Sequence, residues 1–373
     1  MIEYRLKGPA SQERQRIRLM SALRENRFPQ SILIDGPSGI GKKALAIEIA
    51  KALLCTDPDM RPCGHCFGCK MAADAGATDN WVFPMISAEA NAKSSSEVSS
   101  RSTAKTVQDY KLSYIQKIFE NPYSIEIFDA AAEISVGLIR TLSDSFALKN
   151  DRVRVVIIAE ADRMNEAASN AFLKTLEEVP ANTYFILTTS SREKMLQTIR
   201  SRCLALHLLP LSDEEVRSEA VRIMGDEAED SIDDDIVGLA VGSPGKAIYY
   251  AKSGNEIFNL ASKFLSLSLQ NAYYELFELL DDAKIKEVVD AVHLLEVLSF
   301  LIADLIRRQT GANIRIPNTT SQISLEAHPG IDVVALNKAL TDVQETISRA
   351  FARRTPVAIL LQALAIKLFE GYK

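Results

Sequence analysis

Residues 31–35 form a short apolar run, SILID, that opens directly into Gly36-Pro37-Ser38-Gly39-Ile40-Gly41-Lys42-Lys43. A strand, a glycine-rich turn and a helix predicted at 43–54 follow in the order that cradles phosphate. Converging backbone N–H groups and the positive end of the helix hold the anion. The pattern G-x-x-x-x-G-K-[ST] is met everywhere except at its last residue. Lys43 stands where a Ser or Thr hydroxyl would hold Mg²⁺, and an ammonium cannot ligate a cation. The second magnesium anchor would be an Asp closing a buried strand. The strand predicted at 153–158 is followed instead by Ala159 and then Glu160. Gly36, Gly39, Gly41 and Lys42 are the candidate phosphate contacts, with Lys42 at the terminal phosphates. A glycine turn that merely joins strand to helix is the plain alternative. With both metal anchors missing, ATP binding is expected to be weak or absent. Glu160 could position a water, but without the cation the charge on a transferring phosphoryl group is poorly neutralised.

The runs at 153–158 and 184–188 are continuously apolar, as in strands covered on both faces of a parallel sheet. They alternate with helices predicted at 134–148 and 167–178, the second ended by Val179-Pro180. A further helix is predicted at 194–200. This alternation predicts an α/β domain that closes near residue 210. Ser212 caps the next helix, whose first turn is acidic. From there only helical patterns occur, near 212–225, 231–240, 244–252, 255–269, 285–308, 331–352 and 356–370, with a polar break at 311–324. The expected organisation is an α/β domain over 1–210, a small helical domain over 211–254 and an all-α bundle over 255–373. The Ser-, Ala- and Lys-rich stretch 87–105 lacks apolar periodicity and is expected to belong to a flexible surface insertion of about 87–125.

A chain of 373 residues suits two or three domains. Its net charge of −6 argues against coating DNA by charge alone. No apolar run approaches the roughly 18 residues that span a membrane, and the opening residues lack the apolar core of a signal peptide. A cytoplasmic protein is expected, in which cysteines do not form disulfides. Four of the five cysteines, Cys55, Cys63, Cys66 and Cys69, follow the spacing C-x7-C-x2-C-x2-C. That spacing matches a tetrahedral zinc site, with a set of free thiols as the alternative. Four protein ligands close the shell, so the zinc would be structural; a catalytic ion needs an open position. His65 lies inside the cluster but is not required. Cys203 stands alone and reads as a small buried residue. Arg202, taken by itself, is a surface or ion-pairing residue. Within Thr188-Thr189-Ser190-Ser191, Thr189 could reach a phosphate through its hydroxyl, or the run could be no more than a polar strand end.

The segments GPSGIGK, CGHCFGC, SNAFLKTLEEVP, FILTT and IRSRC, in that order, resemble the clamp-loader subunits of bacterial DNA polymerase III, a family of the AAA+ class. The resemblance covers essentially the whole chain, and the insertion near 87–125 departs from the family's usual length. It implies an AAA+ (P-loop, RecA-like) parallel sheet with helices on both faces, then a small helical lid and an all-α collar. Motor subunits of the family, gamma or tau, keep GKT, an Asp-Glu pair and a lid Arg. Here those places read Gly41-Lys42-Lys43, Ala159-Glu160 and Gly242-Ser243-Pro244-Gly245-Lys246-Ala247, with Lys246 the one candidate substitute for the Arg.

The resemblance is therefore to the non-hydrolysing stator of the assembly, an accessory subunit of the polymerase III holoenzyme with no independent activity. It implies that Arg202 acts in trans as an arginine finger. The implied partners are gamma/tau and delta, and through the assembly the sliding clamp and primed DNA. Leu294, Leu298, Leu301, Leu305, Leu360, Leu361 and Leu364 would pack either between subunits or inside the bundle. Two rival expectations stand beside this. One is an active gamma/tau-like motor, which requires MgATP binding by the isolated chain. The other is a zinc-module nucleic-acid binder, which needs a basic, aromatic-lined surface. Arg61, His65, Phe67 and Lys70 supply such a surface only sparsely.

Overall fold

The computed structural model describes residues 3–4, 6, 13–74, 80–86, 107–125, 128, 132–146, 152–225, 230–253, 256–283, 285, 288–316, 323, 331–350 and 356–368. In chain order the elements are β1 (Glu3–Tyr4), α1 (Glu13–Arg24), β2 (Ser31–Asp35), α2 (Lys42–Leu54), β3 (Met60–Arg61), α3 (Phe67–Ala72), β4 (Trp81–Val82), α4 (Val107–Glu120), α5 (Val136–Ser145) and β5 (Arg154–Ile158). There follow α6 (Glu166–Glu177), β6 (Thr183–Thr189), α7 (Gln197–Arg200), β7 (Leu204–His207), α8 (Asp213–Met224), α9 (Asp234–Ala240), α10 (Pro244–Ser253) and α11 (Glu256–Leu269). The last are α12 (Tyr273–Asp282), α13 (Val288–Thr310), α14 (Val333–Ala350) and α15 (Val357–Lys367). The chain divides into two compact units, residues 1–215 with 242–245, and 216–241 with 246–373.

The first unit is an α/β domain built on a parallel sheet. Five parallel strands lie in the order β4-β5-β6-β2-β7, with Leu33 opposite Leu187 and Ile157 opposite Ile186. β2, β5 and β6 are buried almost throughout, as strands must be when helices cover both faces. On one face Leu33, Val156, Ile158, Phe185 and Leu187 pack with Ile139 and Leu142 of α5 and with Phe172 and Leu176 of α6. α2 packs on β2, β5 and β6. Because β2 lies between β6 and β7, the loop that leaves its carboxyl end emerges beside the ends of both neighbours.

Several boundaries differ from expectation, for identifiable reasons. β5 starts at Arg154, since Val153 is exposed. Ile134 does not open α5 but bridges to Met164, and Ser135 stands at the N-cap position in an extended conformation. Only 197–200 of the expected helix 194–200 is α-helical, after a single 3-10 turn at Arg192–Lys194. The expected insertion at 87–105 lies outside the described residues. Its supposed continuation to 125 is not a flexible segment: α4 buries Tyr114, Ile115 and Ile118. Tyr114 stacks on Phe83 with ring centroids 3.8 Å apart, and Phe119 meets Trp81 edge-on. The predicted cap at Ser212 is present as a reciprocal box. The Glu215 N–H donates to Ser212 Oγ at 3.3 Å, and the Ser212 N–H donates to Glu215 Oε2 at 2.8 Å.

The described elements of the second unit are helical. α13 packs against α11 and α14, and α15 packs against α12 and α14. Leu294, Leu298, Leu301, Leu305, Leu361 and Leu364 are all buried in this unit's own core, which removes them as packing surface between subunits. Leu360 is half-buried. Among the described residues no helix is long and apolar enough to cross a membrane.

One buried carboxylate ties α13 to the chain that follows it. Asp304 is fully buried, and its Oδ2 accepts the N–H groups of Arg315 at 2.8 Å and Ile316 at 2.6 Å while Oδ1 pairs with Arg307. Asp304→Ala leaves the buried Ile316 N–H without its acceptor. It is expected to cost about 1–3 kcal/mol, read as a lowered denaturant midpoint at unchanged slope.

Candidate functional site

The loop after β2 takes backbone conformations suited to glycine, with φ of 72° at Gly39 and 102° at Gly41, and Gly36 also lies at positive φ. Gly41 caps α2, so the helix starts at Lys42. Lys42 is almost wholly buried and spends its three donors within the chain. Nζ donates to Gly36 O, Pro37 O and Ser190 Oγ, each at 2.8 Å. Burial pulls this ammonium down to about 8, against the raising influence of Glu160, Asp162 and Asp35. Lys43, at the expected metal position, is 7 % exposed, and its Nζ lies 5.9 Å from the centroid of the Tyr114 ring. Ala159 is fully buried at the end of β5. Glu160 follows in a left-handed conformation (φ 50°) and donates its N–H to Thr188 Oγ1 at 3.3 Å.

The hydroxyl beside Lys42 belongs to Ser190, not Thr189. Thr189 is buried, donates to Asp162 Oδ1 at 2.6 Å and accepts the Ser191 N–H at 3.0 Å. The sequence offered both hydroxyls at this strand end and no signal to separate them. A second group escaped sequence reasoning altogether. His207 Nδ1 lies 2.8 Å from Asp35 Oδ2, and Arg192 NH1 lies 2.8 Å from His207 Nε2. These three residues come from three separate segments and join the ends of β2 and β7.

The four cysteines meet at the other end of α2. Cys55 caps that helix, and Cys66 caps α3. All four sulfurs lie within 4.8 Å of one another. Cys66 Sγ to Cys55 Sγ is 3.7 Å, and Cys63 Sγ to Cys69 Sγ is 3.9 Å. A tetrahedral ion with Zn–S bonds of about 2.3 Å holds its sulfurs about 3.8 Å apart. Backbone N–H groups point at the sulfurs: Cys63 N to Cys55, Cys66 N to Cys63 and Cys69 N to Cys66, at 3.3–3.4 Å. Burial acts to raise the Cys66 thiol, but the N–H groups of Cys69 and Thr56 and the neighbouring thiols bring it down to about 5. Burial pushes Cys69 up. This donor set fits a metal. Gly68 is required for the closure, because a Cβ there would lie 1.8 Å from Leu54 O. The exposed His65 turns its Nδ1 to Cys63 O at 3.1 Å and stands outside the four-sulfur group. α2 has 13 residues, so the cysteines lie about 20 Å from the loop.

Arg202 projects at the surface just before β7. NH2 donates to Glu177 Oε1 at 2.8 Å and NH1 to Thr198 O at 3.1 Å. Its side chain is 37 % exposed and that of Glu177 48 %, so solvent screens the pair. Cys203 packs against the sheet core, and burial pushes its thiol up to about 12, as for an inert structural residue. In the second unit, Lys246 Nζ bonds to Glu296 Oε1 at 3.2 Å, and the same carboxylate accepts the Tyr250 hydroxyl at 3.0 Å.

A profile of the family described as DNA polymerase III, delta subunit, matches residues 11–212, which take in the glycine loop, all four clustered cysteines and Arg202. The chain belongs to this family of clamp-loader proteins. It is 26 % identical over 326 residues to the DNA polymerase III subunit delta' of Escherichia coli, covering 84 % of this chain and 81 % of that one. It is also 29 % identical over 212 residues to the subunit tau of Salmonella typhimurium, covering 56 % of this chain but only 26 % of that longer one. The crystal structure of a gamma subunit-related protein from Thermotoga maritima aligns with a TM-score of 0.47 at 16 % identity, over 95 % of this chain and 99 % of that one.

Proposed function

We propose that this chain is a non-hydrolysing, delta-prime-type subunit of the DNA polymerase III clamp loader. It helps load the sliding clamp on primed DNA and lends Arg202 to the ATP site of a neighbouring subunit. The observation that carries this reading is the occupancy of the two metal positions. An intact phosphate-loop fold carries a buried ammonium, Lys43, at one anchor and a buried methyl, Ala159, at the other. A like charge at the first repels a divalent cation, and the second offers no ligand atom. ATP binding at Gly36, Gly39, Gly41 and Lys42 is then weak or absent, and the chain has no activity of its own outside the cytoplasmic holoenzyme.

Arg202 supports the other half of the reading. It is at the surface, held by a screened ion pair and one bond to a backbone carbonyl, and its planar fork meets phosphate oxygens at two points. Cys55, Cys63, Cys66 and Cys69 hold a structural zinc. Four protein sulfurs leave no open position, and the distance from the loop suits a stiffening role. Residues 1–210 form the AAA+ domain, 211–254 the lid and 255–373 the collar, through which the chain joins gamma/tau and delta. Lys246, the candidate substitute for a lid Arg, bonds to Glu296 Oε1 at 3.2 Å.

The test is phosphate release from MgATP by the purified chain, then by gamma/tau and delta with and without it. No release by the chain alone, co-purification with both partners and a rise in turnover on its addition are expected. Turnover by the isolated chain would replace this reading with that of a gamma/tau-like motor.

A further inference from the structure

We infer that segment 107–125 is a built-in cover that closes the phosphate loop against nucleotide. The inference rests on the non-hydrolysing reading of this loop and adds a second reason for it, independent of the missing metal ligands.

The cover is anchored on the sheet edge. Tyr114 of α4 stacks on Phe83, and Tyr110 and Phe128 pack beside the same pair of rings. From this anchor the segment touches the loop at both ends. At the helix end, the Tyr114 ring lies over the Lys43 ammonium, 5.9 Å from centroid to Nζ, so ring and ammonium fill the side where a cation would accompany phosphate. At the glycine end, a turn in which the Ser124 N–H donates to Asn121 O at 2.9 Å brings Tyr123 and Ile125 over the loop. Ile125 Cγ1 would stand 3.1 Å from a Cβ on Gly39.

Residues 242–245 complete the closure from within the same unit. Ser243 Oγ donates to Ser38 O at 2.8 Å, and the Gly245 N–H donates to Gly39 O at 3.0 Å. Gly245 is wedged so tightly that a Cβ would lie 2.1 Å from Tyr123 O and 2.7 Å from the Gly39 Cα. Residues 40–43, whose N–H groups would have to face a phosphate, are all buried. A loop that binds nucleotide presents those groups to an entering anion. Here Lys42, the residue that would reach the terminal phosphates, has its donors turned to Gly36, Pro37 and Ser190.

The test restores the metal ligands with the cover in place and then removes the cover. Lys43→Thr/Ala159→Asp supplies both anchors; the same pair with Tyr114→Ala/Ile125→Ala also strips the contacts. Each is titrated with a fluorescent ATP analogue and Mg²⁺, and folding is checked by circular dichroism. The covered variant is expected not to bind. Opening should tighten apparent affinity about a hundredfold if the covered form holds about 99 % of molecules. Binding by the covered variant as tight as by the opened one overturns the inference, and so does a folded opened variant that fails to bind. Neither outcome touches the non-hydrolysing reading, which falls only if the wild-type chain turns over ATP. Should a variant not fold, hydrogen exchange on the wild-type chain decides: amides 38–43 are expected to be protected with no nucleotide added, and unprotected exchange there overturns the cover.

Discussion

Arg202→Ala is expected to lower the DNA- and clamp-stimulated ATP turnover of the reconstituted assembly by roughly 10³–10⁵, the range in which an arginine finger supplied in trans contributes. Complex formation should be unchanged, because among the described residues the side chain hydrogen-bonds to Glu177 and Thr198 of its own unit. Its ion pair with Glu177 is exposed on both sides, and such pairs contribute about 0–1 kcal/mol, so the arginine can leave it for a phosphate at little cost. The same weakness predicts a thermal midpoint close to wild type. Arg202→Lys keeps the charge but loses the fork and should recover only a minor part of the turnover. Steady-state phosphate release, with size-exclusion chromatography to verify assembly, reads both variants. Turnover unaffected by Arg202→Ala in an intact complex would remove the finger from the account.

Removal of zinc should produce the second large effect, local to residues 55–72. Metal analysis of the purified chain is expected to give one zinc per molecule. Cys66→Ser or a strong chelator should abolish it, and Cys203→Ser should leave it unchanged, since Cys203 packs against the sheet core, apart from the cluster. Structural zinc in small modules contributes roughly 10–16 kcal/mol of apparent binding free energy at neutral pH. Four sulfurs within 4.8 Å, deprived of the ion, take up protons and lose the bonds that hold them together. α3 packs on α2 and its start depends on Cys66, so the end of α2 should loosen with it. Hydrogen exchange across 55–72 reads the loss. Protons compete with the ion for the sulfurs, so affinity should fall as pH falls. A chain with no zinc and unchanged exchange on chelation would leave the cluster as free thiols.

Elements that are buried on both faces were legible in the sequence. β2, β5 and β6 are continuous apolar runs because helices cover both sides, and such a run has few other uses in a soluble fold. β4 is two residues long, and β7 is an edge strand with Leu204 half exposed, so neither carries a periodicity to detect. α12 escaped because it buries only Leu276 and Leu280 among acidic neighbours. α4 escaped for a different reason: the low-complexity stretch before it masks an amphipathic pattern at Tyr114, Ile115 and Ile118. The same contrast holds at the site. The cysteines are close in sequence, so their spacing is itself the geometry. Ser190 beside Lys42, Tyr114 over Lys43 and the Asp35–His207–Arg192 chain each join segments far apart, and only the folded sheet brings them together.

The most direct test of the central claim is the structure of the reconstituted assembly with a non-hydrolysable ATP analogue and Mg²⁺. The account predicts Arg202 released from Glu177 and within hydrogen-bond distance of the γ-phosphate held by a neighbouring subunit, with no nucleotide at Lys42. Nucleotide on this chain's own loop, or Arg202 still paired with Glu177 while the neighbouring site is filled, would contradict it.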